Sequence, residues 1–191
     1  MSNLIGMIEL TSIAKGIYAT DMMIKAANIE VVSATPVCPG KYIAIIQGDV
    51  AAVESSINAG VRASEEYLVD SFILANVHPA VFPAITATTL PDGSGALGVM
   101  ESFSMASMIM AADAALKTAE IQALELRLGS GLGGKAYFTF TGDVAAVNEA
   151  VEAGKEIDKV MVKRELTGEL FKELVAILKA HDIPMQKVPI E

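Results

Sequence analysis

The stretch GKYIAIIQGDVAAV (residues 40–53) lies over GKAYFTFTGDVAAV (residues 134–147) at an offset of 94. Gly48 to Val53 matches Gly142 to Val147 without a break, and Ala59-Gly60 matches Ala153-Gly154. Toward the N-terminus, IGMIELTSIAKGIYATDMMIKAANIE from Ile5 lies over LGVMESFSMASMIMAADAALKTAEIQ from Leu97 at an offset of 92. Identical pairs include Gly6/Gly98, Glu9/Glu101, Ser12/Ser104, Asp21/Asp113 and Lys25/Lys117. A register held this long marks a duplicated domain. The offset grows from 92 to 94 between the two blocks, so the second copy carries a two-residue insertion. It falls where TPVCPGK (35–41) faces RLGSGLGGK (127–135). Duplication kept the scaffold and altered one loop, and in the first copy that loop holds the only cysteine, Cys38.

Each copy is readable as elements. Ile5 to Leu10 is an apolar run fit for a buried strand, and from Ser12, a plausible N-cap, a helix follows. Its apolar residues, Ile13, Ile17, Met22, Ile24 and Ala27, follow a helical rather than alternating spacing. Ile29 to Ala34 and Tyr42 to Gln47 read as two strands joined by a tight Pro/Gly loop. GDVAAVESSINAG predicts a helix opened by Asp49, with Gly60 as its C-cap. A strand over Tyr67 to Leu74 and a short helix over His78 to Ile85 complete the copy, and Thr86 to Gly95 is a linker. The second copy repeats the order to Arg164 and ends in an amphipathic helix over Thr167 to Ala180. The expected fold class is α+β: two tandem β-α-β-β-α-β domains, residues 1–90 and 96–185, each with helices packed on an antiparallel sheet.

Composition bounds the rest. The 191 residues are 52% apolar and 19% charged, with a formal net charge of −9. High apolar content with few charges predicts burial between subunits. Acidity without a basic cluster argues against nucleic acid as a partner. No apolar run reaches the roughly 18 residues of a membrane span, and no secretory signal opens the chain. One thiol fits a reducing cytoplasm.

The G-x-I-E start, the D-x-x-x-K-A-A-N-I-E helix and the G-D-V-x-A-V block together resemble the bacterial microcompartment shell domain. Two such domains in one chain resemble the tandem-domain, trimer-forming shell proteins, and the CPGK loop with GLGGK-Y resembles their propanediol-utilization T type. The resemblance implies a homotrimer forming a pseudohexameric tile, without enzymatic activity, in the microcompartment shell. It implies a central pore lined alternately by Val37, Cys38, Pro39 and Gly40 and by Gly129, Ser130, Gly131, Leu132, Gly133 and Gly134. It implies tile-edge roles for Lys25 and Lys117, and for Arg164 after the last strand, where the first copy has Asn76. It implies other shell proteins as partners, together with an internal or cytosolic redox enzyme. In the T type, the pore-loop cysteine implies a [4Fe–4S] cluster on the three-fold axis.

Ligand arithmetic bears on Cys38 independently. Such clusters take four ligands, mostly thiolates, so one chain cannot hold one, whereas a three-fold axis supplies three copies of Cys38. Pro39 stiffens the loop, and Gly40 lets backbone amides approach and donate to sulfur. The competing readings are an ordinary small apolar cysteine in a plain metabolite pore, or zinc held by three thiolates and water. A ferredoxin-like sensor or enzyme is a third class, opposed by the lack of any acid/base or nucleophile constellation. His78 and His181 have no ligand spacing around them. GSGLGG (129–134) is followed by Lys135 but by Ala136 where a P-loop has its hydroxyl, and its strand–loop–strand context is wrong for one. MASMIMAADAAL has the spacing of core or interface.

Overall fold

A computed structural model of the chain describes residues 4–86, 89, 95–157 and 160–166. It divides into two compact units, Met1–Pro79 with Gly129–Gly134, and Ala80–Leu128 with Lys135–Glu191. The first contains β1 (Leu4–Leu10), α1 (Ile13–Ala26), β2 (Glu30–Val37), β3 (Lys41–Gly48), α2 (Val50–Ser64), a 3₁₀ turn (Glu65–Tyr67) and β4 (Leu68–Leu74). The second contains α3 (Val81–Thr86), β5 (Ala96–Ser102), α4 (Met105–Thr118), β6 (Gln122–Leu128), β7 (Ala136–Gly142), α5 (Val144–Lys155) and β8 (Val160–Leu166). The sheets have strand orders β2-β3-β1-β4 and β6-β7-β5-β8, and every pairing is antiparallel. This is the α+β arrangement expected of each repeat. The irregularity between Val31 and Ser33 on β2 recurs between Ala123 and Glu125 on β6, at the equivalent place.

Local chemistry sets the helix starts. Ser12 Oγ accepts from the Lys15 N–H at 3.3 Å, and Ser104 Oγ accepts from the Ser107 N–H at 3.1 Å. Asp49 Oδ1 accepts from the Ala52 N–H at 2.9 Å, whereas Asp143 occupies the same position without a side-chain cap. These bonds satisfy donors that a first helical turn leaves open. The first core joins Leu4, Ile8 and Leu10 of β1, Met23 of α1, and Val53 and Ile57 of α2. In the second unit, the Phe138 and Phe140 rings stack at 5.0 Å.

Several sequence expectations need correction. Gly60 does not cap α2, which runs on to Ser64. It lies where α2 crosses α1, and a Cβ there would meet Met23 Cγ and Sδ at 2.7 Å. Close approach of two helices, not a left-handed turn, is what requires glycine. On α1 the buried residues are Gly16, Ala19, Thr20 and Met23, while Ile13, Ile17 and Ile24 are exposed. The apolar stripe read from spacing is therefore the outward face. Gly16 is inward because α1 lies directly on β3, where a Cβ would clash with the Tyr42 side chain. β2 extends to Val37, Tyr67 belongs to the 3₁₀ turn, and the short helix starts at Val81 rather than His78. Thr86, placed in the linker, is the last residue of α3. The helix expected over 167–180 and His181 lie outside the described residues.

Candidate pore site

Because β2 runs to Val37 and β3 starts at Lys41, only Cys38, Pro39 and Gly40 connect them. Val37 is buried at the strand end, Cys38 is half-buried, and Pro39 and Gly40 are exposed. The Cys38–Pro39 peptide is cis, and Gly40 has φ +82°, a left-handed value suited to glycine. A Cβ on Gly40 would meet nothing within 4 Å, so the tip of the turn faces open space.

The equivalent connection between β6 and β7 spans residues 129–135. It is longer for two reasons, the inserted pair and the earlier ends of the flanking strands. Four of its glycines, Gly129, Gly131, Gly133 and Gly134, have positive φ. Ser130, Gly131 and Gly133 are exposed, Leu132 is half-buried, and Gly129 and Gly134 are buried. Gly129–Gly134 packs within the first unit. The Cys38 N–H donates to the Gly129 carbonyl at 3.1 Å, and a Cβ on Gly134 would lie 3.2 Å from Pro39 Cδ. The two loops singled out in the sequence are thus brought together, one braced on the other.

That brace corrects the account of sulfur-directed amides. The Cys38 N–H is committed to Gly129, and the Gly40 N–H donates to the Val37 carbonyl at 3.1 Å. Neither amide is available to a sulfur ligand. What the turn offers is a half-buried thiol beside open space. Among the described residues, no group of three or more His, Cys, Asp and Glu could hold a metal ion.

Sequence reasoning missed the residues at the foot of each loop. Lys41 Nζ pairs with Glu9 Oε1 at 2.7 Å, and Lys135 Nζ pairs with Glu101 Oε1 at 3.3 Å. Glu9 is 4% exposed. The signal was present as the Glu9/Glu101 identity and the two Gly-Lys dipeptides. Only strand register, with Leu10 opposite Tyr42 in β1–β3 and Ser102 opposite Ala136 in β5–β7, sets each glutamate within reach of its lysine. A second cluster exists in one copy only. Arg127 Nη2 donates to Glu125 Oε1 at 2.7 Å, and the Tyr137 hydroxyl donates to Glu125 Oε2 at 2.8 Å. Burial first, and then the bond to Glu125, push the Tyr137 hydroxyl up to about 12. The first copy has Ser33, Thr35 and Ile43 at these places.

Lys25 and Lys117 pair with Asp21 and Asp113 at 2.6 Å, one turn earlier on their own helices. Asn76 is exposed with φ +55°, and Arg164 lies on β8.

The BMC domain profile matches residues 5–77 and again residues 96–171. The chain belongs to the BMC-domain family. It is 42% identical to the bacterial microcompartment shell protein PduT of Citrobacter freundii over 156 residues, 82% of this chain and 85% of that protein. The carboxysome assembly protein CcmO of a Synechocystis strain is 27% identical, over 90% of this chain and 60% of its own length. A solved structure of a microcompartments protein from Desulfitobacterium hafniense is 46% identical, with a TM-score of 0.81. It covers 89% of this chain and 98% of that one. A BMC protein with two domains and this degree of likeness is a microcompartment shell component, not an enzyme.

Proposed function

We propose that this BMC protein is a trimeric pseudohexameric shell tile whose pore carries a [4Fe–4S] cluster held by Cys38. The observation that carries the reading is the braced Cys38 turn beside open space. It presents one thiol per chain, and three chains about an axis would present three. The lips are Val37 to Gly40 and Gly129 to Gly134, in domains spanning residues 1–90 and 96–185. Lys25, Lys117, Asn76 and Arg164 lie at the tile edges, against other shell proteins. When bound, the cluster supplies one-electron transfer across the shell, to an internal or cytosolic redox enzyme. The chain itself supplies the thiolate and, through the Gly129 carbonyl, fixes the backbone that carries it.

Anaerobically prepared protein should have the mass of three chains, contain iron and sulfide, and absorb broadly near about 400 nm. Cys38→Ser should lose the colour and keep the trimer. A colourless wild-type trimer, with zinc or without metal, would leave the tile and remove the redox centre.

A further inference from the structure

The two lips differ in how their amides are spent. In the first, the Cys38 N–H donates to the Gly129 carbonyl and the Gly40 N–H to the Val37 carbonyl, while Pro39 has no N–H. The second is the reverse. None of the N–H groups of Ser130, Gly131, Leu132, Gly133 and Gly134 meets an acceptor in hydrogen-bonding geometry among the described residues. Gly134 is buried all the same. Exposed amides can turn to water, but a buried one without an acceptor is uncommon and calls for a reason.

The backbone gives this run a shape. Gly129, Gly131 and Gly133 have φ of +72°, +74° and +59°, and Ser130 and Leu132 between them do not have positive φ. Alternating handedness turns successive N–H groups to one side and forms a concavity for anions, a device found at phosphate and iron–sulfur sites. Glycine reaches these angles at low cost, which accounts for its density here. A Cβ on Gly131 or Gly133 would meet nothing within 4 Å, so the backbone there is open to approach. The run also stands against the cysteine turn. Its Gly129 carbonyl holds the Cys38 N–H, and a Cβ on Gly134 would lie 3.2 Å from Pro39 Cδ.

We propose that the amides of Ser130 to Gly134 donate to the sulfur of the cluster that Cys38 holds. The inference rests on the cluster reading and names the donors that the cysteine turn itself does not supply. The chemistry is that of anion recognition. A [4Fe–4S] core with three thiolates is negatively charged, and one-electron reduction adds to that charge. The chain is acidic, with a net charge of −9, and the lysines at the feet of the lips are paired, Lys41 with Glu9 and Lys135 with Glu101. The amides of the glycine lip are then the donors that remain to face sulfur. Such donation stabilises the reduced form and raises the potential.

Rapid-mixing hydrogen exchange of anaerobic trimers reads these amides directly. After reconstitution with iron and sulfide, the peptide over residues 129–135 of the wild type should exchange about tenfold more slowly than in the Cys38→Ser trimer, as hydrogen bonds to a charged acceptor require. Leu132→Pro removes one donor and should shift the potential of the bound cluster to more negative values. Leu132→Ala keeps the donor and should keep the potential. If Leu132→Pro does not assemble, the exchange comparison decides alone. A coloured, iron-loaded trimer whose lip amides exchange as fast as those of Cys38→Ser, or whose potential ignores Leu132→Pro, would overturn the proposal and leave the cluster standing. Protection given by inorganic phosphate to the Cys38→Ser trimer, with none given by the cluster to the wild type, would assign the lip to a soluble oxyanion and overturn it likewise. A wild-type trimer that takes up no iron overturns the proposal and the cluster together.

Discussion

α1 and α4 are the same helix twice, and they sit in opposite circumstances. Their caps match, Ser12 and Ser104, and so do their ion pairs, Lys25 with Asp21 and Lys117 with Asp113. Yet Ile17 is 57% exposed while its equivalent Ile109 is 0% exposed. One apolar pattern therefore serves as core in one copy and as surface in the other. Sequence periodicity reports that a face is apolar; it does not report which neighbour covers it. This is why the stripe read on α1 lies on its outer side.

The comparison can be broken most forcefully by charge. Ile109→Asp should cost more than about 4 kcal/mol, because it buries an unpaired carboxylate. Ile17→Asp should cost less than about 0.5 kcal/mol in the dissociated chain, as an exposed substitution does. Urea denaturation of the two variants measures both, and equal losses would show that the α1 face is covered within a single chain.

The paired glutamates allow a finer test. Glu9 is more deeply buried than Glu101 and stands closer to its lysine. Glu9→Gln should cost about 2 kcal/mol and Glu101→Gln about half of that, since the better-buried charged bond loses more. Denaturation midpoints at matched ionic strength check the ratio. Because Lys41 opens β3 directly after Gly40, Glu9→Gln should also quicken alkylation of Cys38 more than Glu101→Gln does.

The smallest effect separates the copies by pH. The Tyr137 hydroxyl is raised to about 12 in the folded chain. A tyrosine raised above its unfolded value of about 10 holds its proton more tightly when folded. Its contribution is complete below about pH 10 and is lost as pH rises toward 12. After allowance for a half-exposed site it amounts to about 1 kcal/mol. Tyr137→Phe should flatten that part of the stability profile, whereas Ile43→Phe in the first copy should leave it unchanged.

Much of the molecule was legible in residue order. The repeat announced two units of one topology, and Ser12 and Asp49 announced helix starts that the structure bears out. The uneven loops announced where the copies differ. Gly60 misled, because a glycine demanded by helix crossing and one demanded by a left-handed turn look alike in sequence. The Glu9–Lys41 pair escaped because its partners are 32 residues apart and meet only through strand register. The Cys38–Gly129 bond escaped for the same reason across a longer span.

The sequence by itself determined the duplication, the α+β order within each copy, the lone thiol on the one divergent loop and the membership of the BMC family. These follow from local propensity and from identity between copies, which residue order records directly. The tertiary structure alone decided that the glycine loop braces the cysteine turn. It also decided that the turn's amides are already committed, and that one copy of an apolar helix is buried while the other is open. Each of these depends on which distant groups come within a few ångströms, and that is set by packing and register rather than by any run of residues.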